Sequence, residues 1–137
     1  MKTIPYILLS VVTAAVAQAD SFYGPNGSFN GRAERSSDGT VRYYGANGSY
    51  QGSSRTSNGG RTTRYYGANG SYLGSSEKSG NTERYYGANG SYQGSKSTSG
   101  NTSRFYGSNG SYKGSSSGSS SGTRYYDASG RYKGSRR

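Results

Sequence analysis

The chain contains no cysteine, no histidine and no tryptophan. Without cysteine there is no disulfide framework, no thiolate metal site and no lipid-modified cysteine. Without histidine the commonest general base and metal ligand is missing. Acids are scarce, with 6 Asp plus Glu against 17 Lys plus Arg and a formal net charge of +11. The six acids, Asp20, Glu34, Asp38, Glu77, Glu83 and Asp127, are scattered rather than paired at a common position. Serine is plentiful, but nothing singles out a base to activate one. These absences predict a protein that is not an enzyme and has no metal site and no cofactor. Large aliphatic residues are also rare: past residue 19 there are only Val41 and Leu73. Any core must therefore be aromatic, drawn from the 16 Tyr and 3 Phe of the chain.

The chain has one long apolar run. Lys2 precedes it, Ile7 to Val16 form it, and Ala17-Gln18-Ala19 follows as an A-x-A site. That pattern predicts a secretory signal peptide over residues 1–19, too short for a membrane span. The expectation is an exported protein, periplasmic or secreted, with one β-repeat domain over residues 20–137. Nothing beyond Ala19 is apolar enough to cross a bilayer as a helix. Export makes nucleic acid an improbable partner, whereas the excess of positive charge favours anionic lipid head groups or acidic polysaccharide. A solvated basic surface that serves only solubility competes with that reading.

What the chain has in abundance is a ten-residue unit, clearest at Tyr65-Tyr66-Gly67-Ala68-Asn69-Gly70-Ser71-Tyr72-Leu73-Gly74. Six copies start at Phe22, Tyr43, Tyr65, Tyr85, Phe105 and Tyr125, at intervals of 20 to 22 residues. Such a period marks a repeat architecture. Asn-Gly is a strong hairpin signal, and a two-residue type I′ turn at Asn69-Gly70 would pair Gly67 with Tyr72, Tyr66 with Leu73 and Tyr65 with Gly74. Opposed residues share a face. One face would then hold the first and third aromatics across from glycines, leaving each ring room over bare backbone. Phe22, Phe29 and Phe105 all fall on that face, as expected of a core. The other face would carry the second aromatic, Tyr in all six copies, and the position of Leu73, elsewhere Asn30, Gln51, Gln93, Lys113 and Lys133.

A second turn joins the units. A two-residue turn at Gly80-Asn81 sets Lys78 opposite Glu83 and Glu77 opposite Arg84. All variation in length falls in these connectors, and Ser115 to Gly122 reads as the loosest of them. The fold class expected is all-β: six hairpin repeats in an antiparallel meander. Closure into a shallow barrel would remove two exposed edges and cover a naked aromatic face. A β-solenoid is the alternative.

The last copy, Tyr125-Tyr126-Asp127-Ala128-Ser129-Gly130-Arg131-Tyr132-Lys133-Gly134, resembles the aromatic-Asp-x-x-Gly-Arg-x-x-Gly units of small exported bacterial repeat proteins similar to the β-flower family. The connector Thr98-Ser99-Gly100-Asn101-Thr102 is similar to theirs as well. The resemblance spans Phe22 to Gly134 and implies a shallow closed barrel of hairpins, with a lipid-associated role by analogy alone. Five of the six copies depart from it, with Gly in place of the Asp and Ser or Asn in place of the Arg. Choline-binding cell-wall repeats and MORN repeats are weaker resemblances. The first depend on tryptophan, which is absent here, and the second have a longer period.

The candidate ligand-binding residues are Arg42, Arg64, Arg84, Arg104 and Arg124 with Tyr44, Tyr66, Tyr86, Tyr106 and Tyr126. Each Arg precedes its Tyr by two places, so the two share a strand face. A guanidinium can clasp a phosphate, sulfate or carboxylate while a ring stacks on the attached group. The bland alternative is a solvated basic face. Asn-Gly-Ser triplets match the N-glycosylation sequon, but a turn explains them equally. The favoured function is non-enzymatic binding of anionic envelope components. Alternatives are a self-assembling extracellular matrix protein and a disordered Gly/Ser/Tyr/Arg polyanion binder.

Overall fold

The computed structural model of the protein describes residues 19–137. The signal-peptide reading lies outside the described residues, apart from Ala19, which opens the first strand. Six hairpins follow in order: β1 (Ala19–Tyr23) with β2 (Phe29–Arg35), β3 (Thr40–Gly45) with β4 (Tyr50–Ser57), and β5 (Thr62–Gly67) with β6 (Tyr72–Ser79). Next come β7 (Thr82–Gly87) with β8 (Tyr92–Ser99), β9 (Thr102–Gly107) with β10 (Tyr112–Ser119), and β11 (Gly122–Asp127) with β12 (Tyr132–Arg136). Every strand pairs antiparallel with the next, and β1 pairs with β12 to close a barrel. The expected closed meander is thus the fold, and the solenoid is not. Reciprocal bonds between Ser21 and Arg137, at 2.7 and 2.9 Å, seal the short closing seam.

The connectors keep the expected register. Across Gly80-Asn81, Ser79 faces Thr82, Lys78 faces Glu83 and Glu77 faces Arg84. The stretch from Ser115 to Gly122 is not a loose connector. Ser115 to Ser119 pair in register with Tyr126 to Gly122 across a two-residue turn. A ladder needs only backbone groups, so a serine run between two ordered neighbours forms one without any side-chain signal.

The hairpin tips differ from expectation by one residue. Gly67 N–H donates to Ser71 O at 2.8 Å, and Gly70 N–H donates to Gly67 O at 2.9 Å. Ala68, Asn69 and Gly70 therefore form a three-residue loop, with positive φ at Gly70 (82°) but not at Asn69. This is a type I turn ending in a left-handed residue, not a type I′ turn. The Asn69 side chain explains the preference: its Oδ1 accepts from Ser71 N at 3.0 Å and Ser71 Oγ at 2.7 Å. The return strand absorbs the extra residue as a bulge at Leu73, so Tyr66 faces Tyr72 while Tyr65 still faces Gly74. The third aromatic of each repeat is consequently on the opposite face from the one expected. Phe29, Tyr50, Tyr72, Tyr92, Tyr112 and Tyr132 are 39–41% exposed. Phe29 is no core residue.

The core holds the first aromatic of each repeat. Phe22, Tyr43, Tyr65, Tyr85, Phe105 and Tyr125 each face a glycine across the hairpin, as expected. Tyr65, Tyr85 and Tyr125 are only 3–6% exposed. One layer further from the tips lie the buried Ala33, Val41, Ser54, Thr63, Ser76 and Ser116. Tyr43 and Tyr65 reach into that layer with their hydroxyls, to Ser54 Oγ at 3.1 Å and Ser76 Oγ at 3.2 Å. Burial raises the pKa of all three hydroxyls at Tyr43, Tyr65 and Tyr85.

Two ion pairs share this inner layer. Lys96 Nζ lies 2.6 Å from Glu83 Oε2, and both side chains are about 15% exposed. Ser76 Oγ donates to Glu83 Oε1 at 2.7 Å, and Tyr85 OH donates to Oε2 at 3.2 Å. The second pair, Arg136 with Asp20, is looser at 3.8 Å and lies beside the closing seam. So although Lys78 and Glu83 face each other as expected, the Glu83 carboxylate turns inward to Lys96. Removing one member of a well-buried pair is costly because polar neighbours lose their acceptor. Glu83→Ala is expected to lower unfolding free energy by about 3 kcal/mol in urea titrations. A loss under about 1 kcal/mol would show that the pair adds little.

Candidate functional site

The ten candidate residues all lie on the outer wall. Arg42, Arg64, Arg84, Arg104 and Arg124 are exposed, and Tyr44, Tyr66, Tyr86, Tyr106 and Tyr126 are half-buried. Strand register arranges them differently from the pairs within one strand that sequence spacing suggests. Arg64 faces Ser75, and Ser75 faces Tyr86 of the next repeat. The same cross-strand row recurs as Arg42–Ser53–Tyr66, Arg84–Ser95–Tyr106 and Arg104–Ser115–Tyr126. Arg124–Ser135–Tyr23 carries it across the closing seam. The sixth row is Ser21–Arg32–Tyr44, with Arg and Ser exchanged. In five of the six rows a small serine separates the guanidinium from the ring.

Arg32 marks what such a row can do. Its guanidinium carbon lies 4.6 Å from the centroid of the Tyr44 ring, and its Nε donates to Glu34 Oε1 at 2.9 Å. Arg137 covers Tyr23 in the same way at 5.5 Å. Arg42 instead donates to Ser36 Oγ at 2.9 Å. Sequence spacing missed Arg32 because it occupies the serine position of its row, on the neighbouring strand.

The second part of the site was also missed. Each wall tyrosine meets the third aromatic of its own hairpin, edge to face or tilted, with centroids 5.9–6.1 Å apart in all six repeats. Such pairs are rigid and amphipathic, and one ring of each stays open to solvent. The barrel thus wears a belt of aromatic pairs near the hairpin tips, with the arginines one step below. No family model and no curated protein matches this chain. The chemistry of the wall therefore rests on its own geometry: planar cation, hydroxyl and aromatic face, repeated around a circle. Among the described residues no cluster of acids suits a metal ion.

Proposed function

We propose that this is a non-enzymatic exported β-repeat protein that binds anionic envelope components, lipid head groups or acidic glycans, through its basic Tyr/Arg outer wall. The observation that carries this reading is the cross-strand row of Arg, Ser and Tyr, repeated in all six repeats and backed by an exposed ring. Repetition around a circle suits a polyanionic surface or polymer, because modest contacts made together multiply. Strands of five to eight residues with Arg and Ser pointing outward are too short and too polar to span a bilayer. Contact with lipid would be at the head-group level. Closure of the barrel also weighs against a matrix protein that grows by adding strands to open edges.

The test is cosedimentation of the full chain with vesicles of phosphatidylglycerol, vesicles of phosphatidylcholine, and an acidic polysaccharide, at low and high salt. Binding to at least one anionic partner at low salt, weakened at high salt, is expected. Replacing Arg64, Arg84, Arg104 and Arg124 together by Ser is expected to weaken it at least about tenfold, at about 0.5 kcal/mol or less per exposed charge in cooperation. Equal binding to phosphatidylcholine, or no effect of the four substitutions, would defeat the proposal.

A further inference from the structure

The bulge that exposes the third aromatic has a second consequence. It turns the next residue of each repeat inward over the tip of its hairpin. Leu73 Cδ1 lies over Gly67, Gln51 Nε2 over Gly45, Gln93 Nε2 over Gly87 and Lys113 Cε over Gly107. These residues rim one mouth of the barrel, at the hairpin-tip end. Only the last two repeats place a cation there, Lys113 and Lys133. Between those repeats lies a cavity of about 480 Å³. Tyr85, Phe105 and Tyr125 line it, with Gly114 among them. Lys113, Lys133 and Asp127 stand at its rim. The size falls in the range of small-molecule sites, about 300–1,000 Å³.

From this geometry we infer a binding site for a single-chain amphiphile with an anionic head group, its tail among Tyr85, Phe105 and Tyr125 and its head between Lys113 and Lys133. The walls favour an alkyl tail over a sugar. The Tyr85 hydroxyl is turned away toward Glu83, in the layer further from the mouth, and Phe105 has no hydroxyl. The surface that lines the cavity is mostly apolar, which favours buried methylenes and leaves a polyol few partners. The rim selects charge. Asp127 spends its Oδ1 on its own turn, accepting from Ser129 N, Ser129 Oγ and Arg131 N at 3.0, 2.6 and 2.9 Å. Two ammonium groups against one engaged carboxylate leave the rim positive. A carboxylate and a phosphate satisfy it equally, so a fatty acid and a phosphorylated single-chain lipid are both candidates. The cavity is also lined by Ser95, Tyr106, Ser115 and Tyr126 of the outer-wall rows, but by none of the wall arginines, so the site does not depend on those arginines.

Titration calorimetry of the full chain separates these cases. The probes are dodecanoate, dodecyl phosphate, neutral dodecyl maltoside and inorganic phosphate, all kept below their micellar concentrations. One molecule of each dodecyl anion per chain is expected, tighter than the maltoside, with inorganic phosphate weaker still. The tighter anion names the natural head group. The double variant Lys113→Gln/Lys133→Gln restores the residue that Gln51 and Gln93 already supply elsewhere, so the fold is retained. It is expected to weaken both anions at least about tenfold and leave the maltoside unchanged. The fourfold Arg→Ser wall variant is expected to bind them as the parent does. A stoichiometry near six, loss of binding in the wall variant, or no effect of the Lys substitutions would overturn the site. So would inorganic phosphate binding as tightly as dodecyl phosphate, or no saturable binding of any dodecyl probe.

Discussion

Gly74→Ala is expected to destabilise the barrel by about 2–6 kcal/mol, enough to unfold much of the population at ambient temperature. Gly74 sits opposite Tyr65 with φ of 139°, a backbone conformation closed to side-chain-bearing residues. A Cβ there would also stand 2.1 Å from the carbonyl oxygen of Tyr86 on the next hairpin. The obstacle is backbone rather than a movable side chain, so it cannot be relieved by a change of rotamer. Gly70→Ala is the control. Gly70 has φ of 82°, but nothing lies within 4 Å of its Cβ position. It is expected to cost only about 1–2 kcal/mol. Urea unfolding of the two variants beside the parent measures the difference. If both lose the same amount, close packing of neighbouring hairpins at this glycine is not what holds the barrel together. Gly31, Gly52, Gly94, Gly114 and Gly134 occupy the same place in their repeats, with φ between 136° and 142°. Any of them can replace Gly74 in the experiment.

Alkaline pH is expected to unfold the protein. Burial raises the pKa of Tyr65 and Tyr85 above the ordinary tyrosine value, and an unfolded tyrosine titrates near 10. Above pH 10 the native state therefore retains protons that the unfolded state has lost. Stability contributed by these groups is fully present below pH 10 and falls as pH rises beyond it. Each buried hydroxyl contributes a slope of about 1.4 kcal/mol per pH unit. Tyr65 and Tyr85 together give about 2.7 kcal/mol per unit, and Tyr43 is raised in the same direction. Unfolding free energy measured by urea at successive pH values above 10 should show this decline. Tyr65→Phe removes one titrating proton and should flatten the slope by about 1.4 kcal/mol per unit. Phe105 shows that a repeat accepts Phe at this position. A stability that stays level to pH 12 would mean that these hydroxyls ionise without leaving the core.

Half of the candidate site was legible in the sequence. The second aromatic and the arginine two places before it do lie on one outer wall, because the period of a strand holds within β3, β5, β7, β9 and β11. The exposed partner ring and Arg32 were not legible. Tyr72 lies beyond the tip of its hairpin, and its face depends on how many residues the loop consumes. Asn-Gly fits both a two-residue and a three-residue loop, and the Asn69 side chain bonding Ser71 tips the balance by one residue. One residue is enough to turn a ring from core to surface. The bulge at Leu73 then restores the count, which is why Tyr65 and Gly74 face each other on either reading.

By itself the sequence determined the repeat, the all-β class, the register of the Gly80-Asn81 connector and the pairing of each inner ring with a glycine. All of these are local: they follow from turn residues and from alternation along one strand. Tertiary structure alone decided the closure of β1 on β12, the rows that join an arginine of one repeat to a tyrosine of the next, and the cavity beneath Lys113 and Lys133. Each requires two strands from different repeats to meet at a set angle. That angle comes from the summed twist and bulges of all twelve strands, and no single repeat contains it.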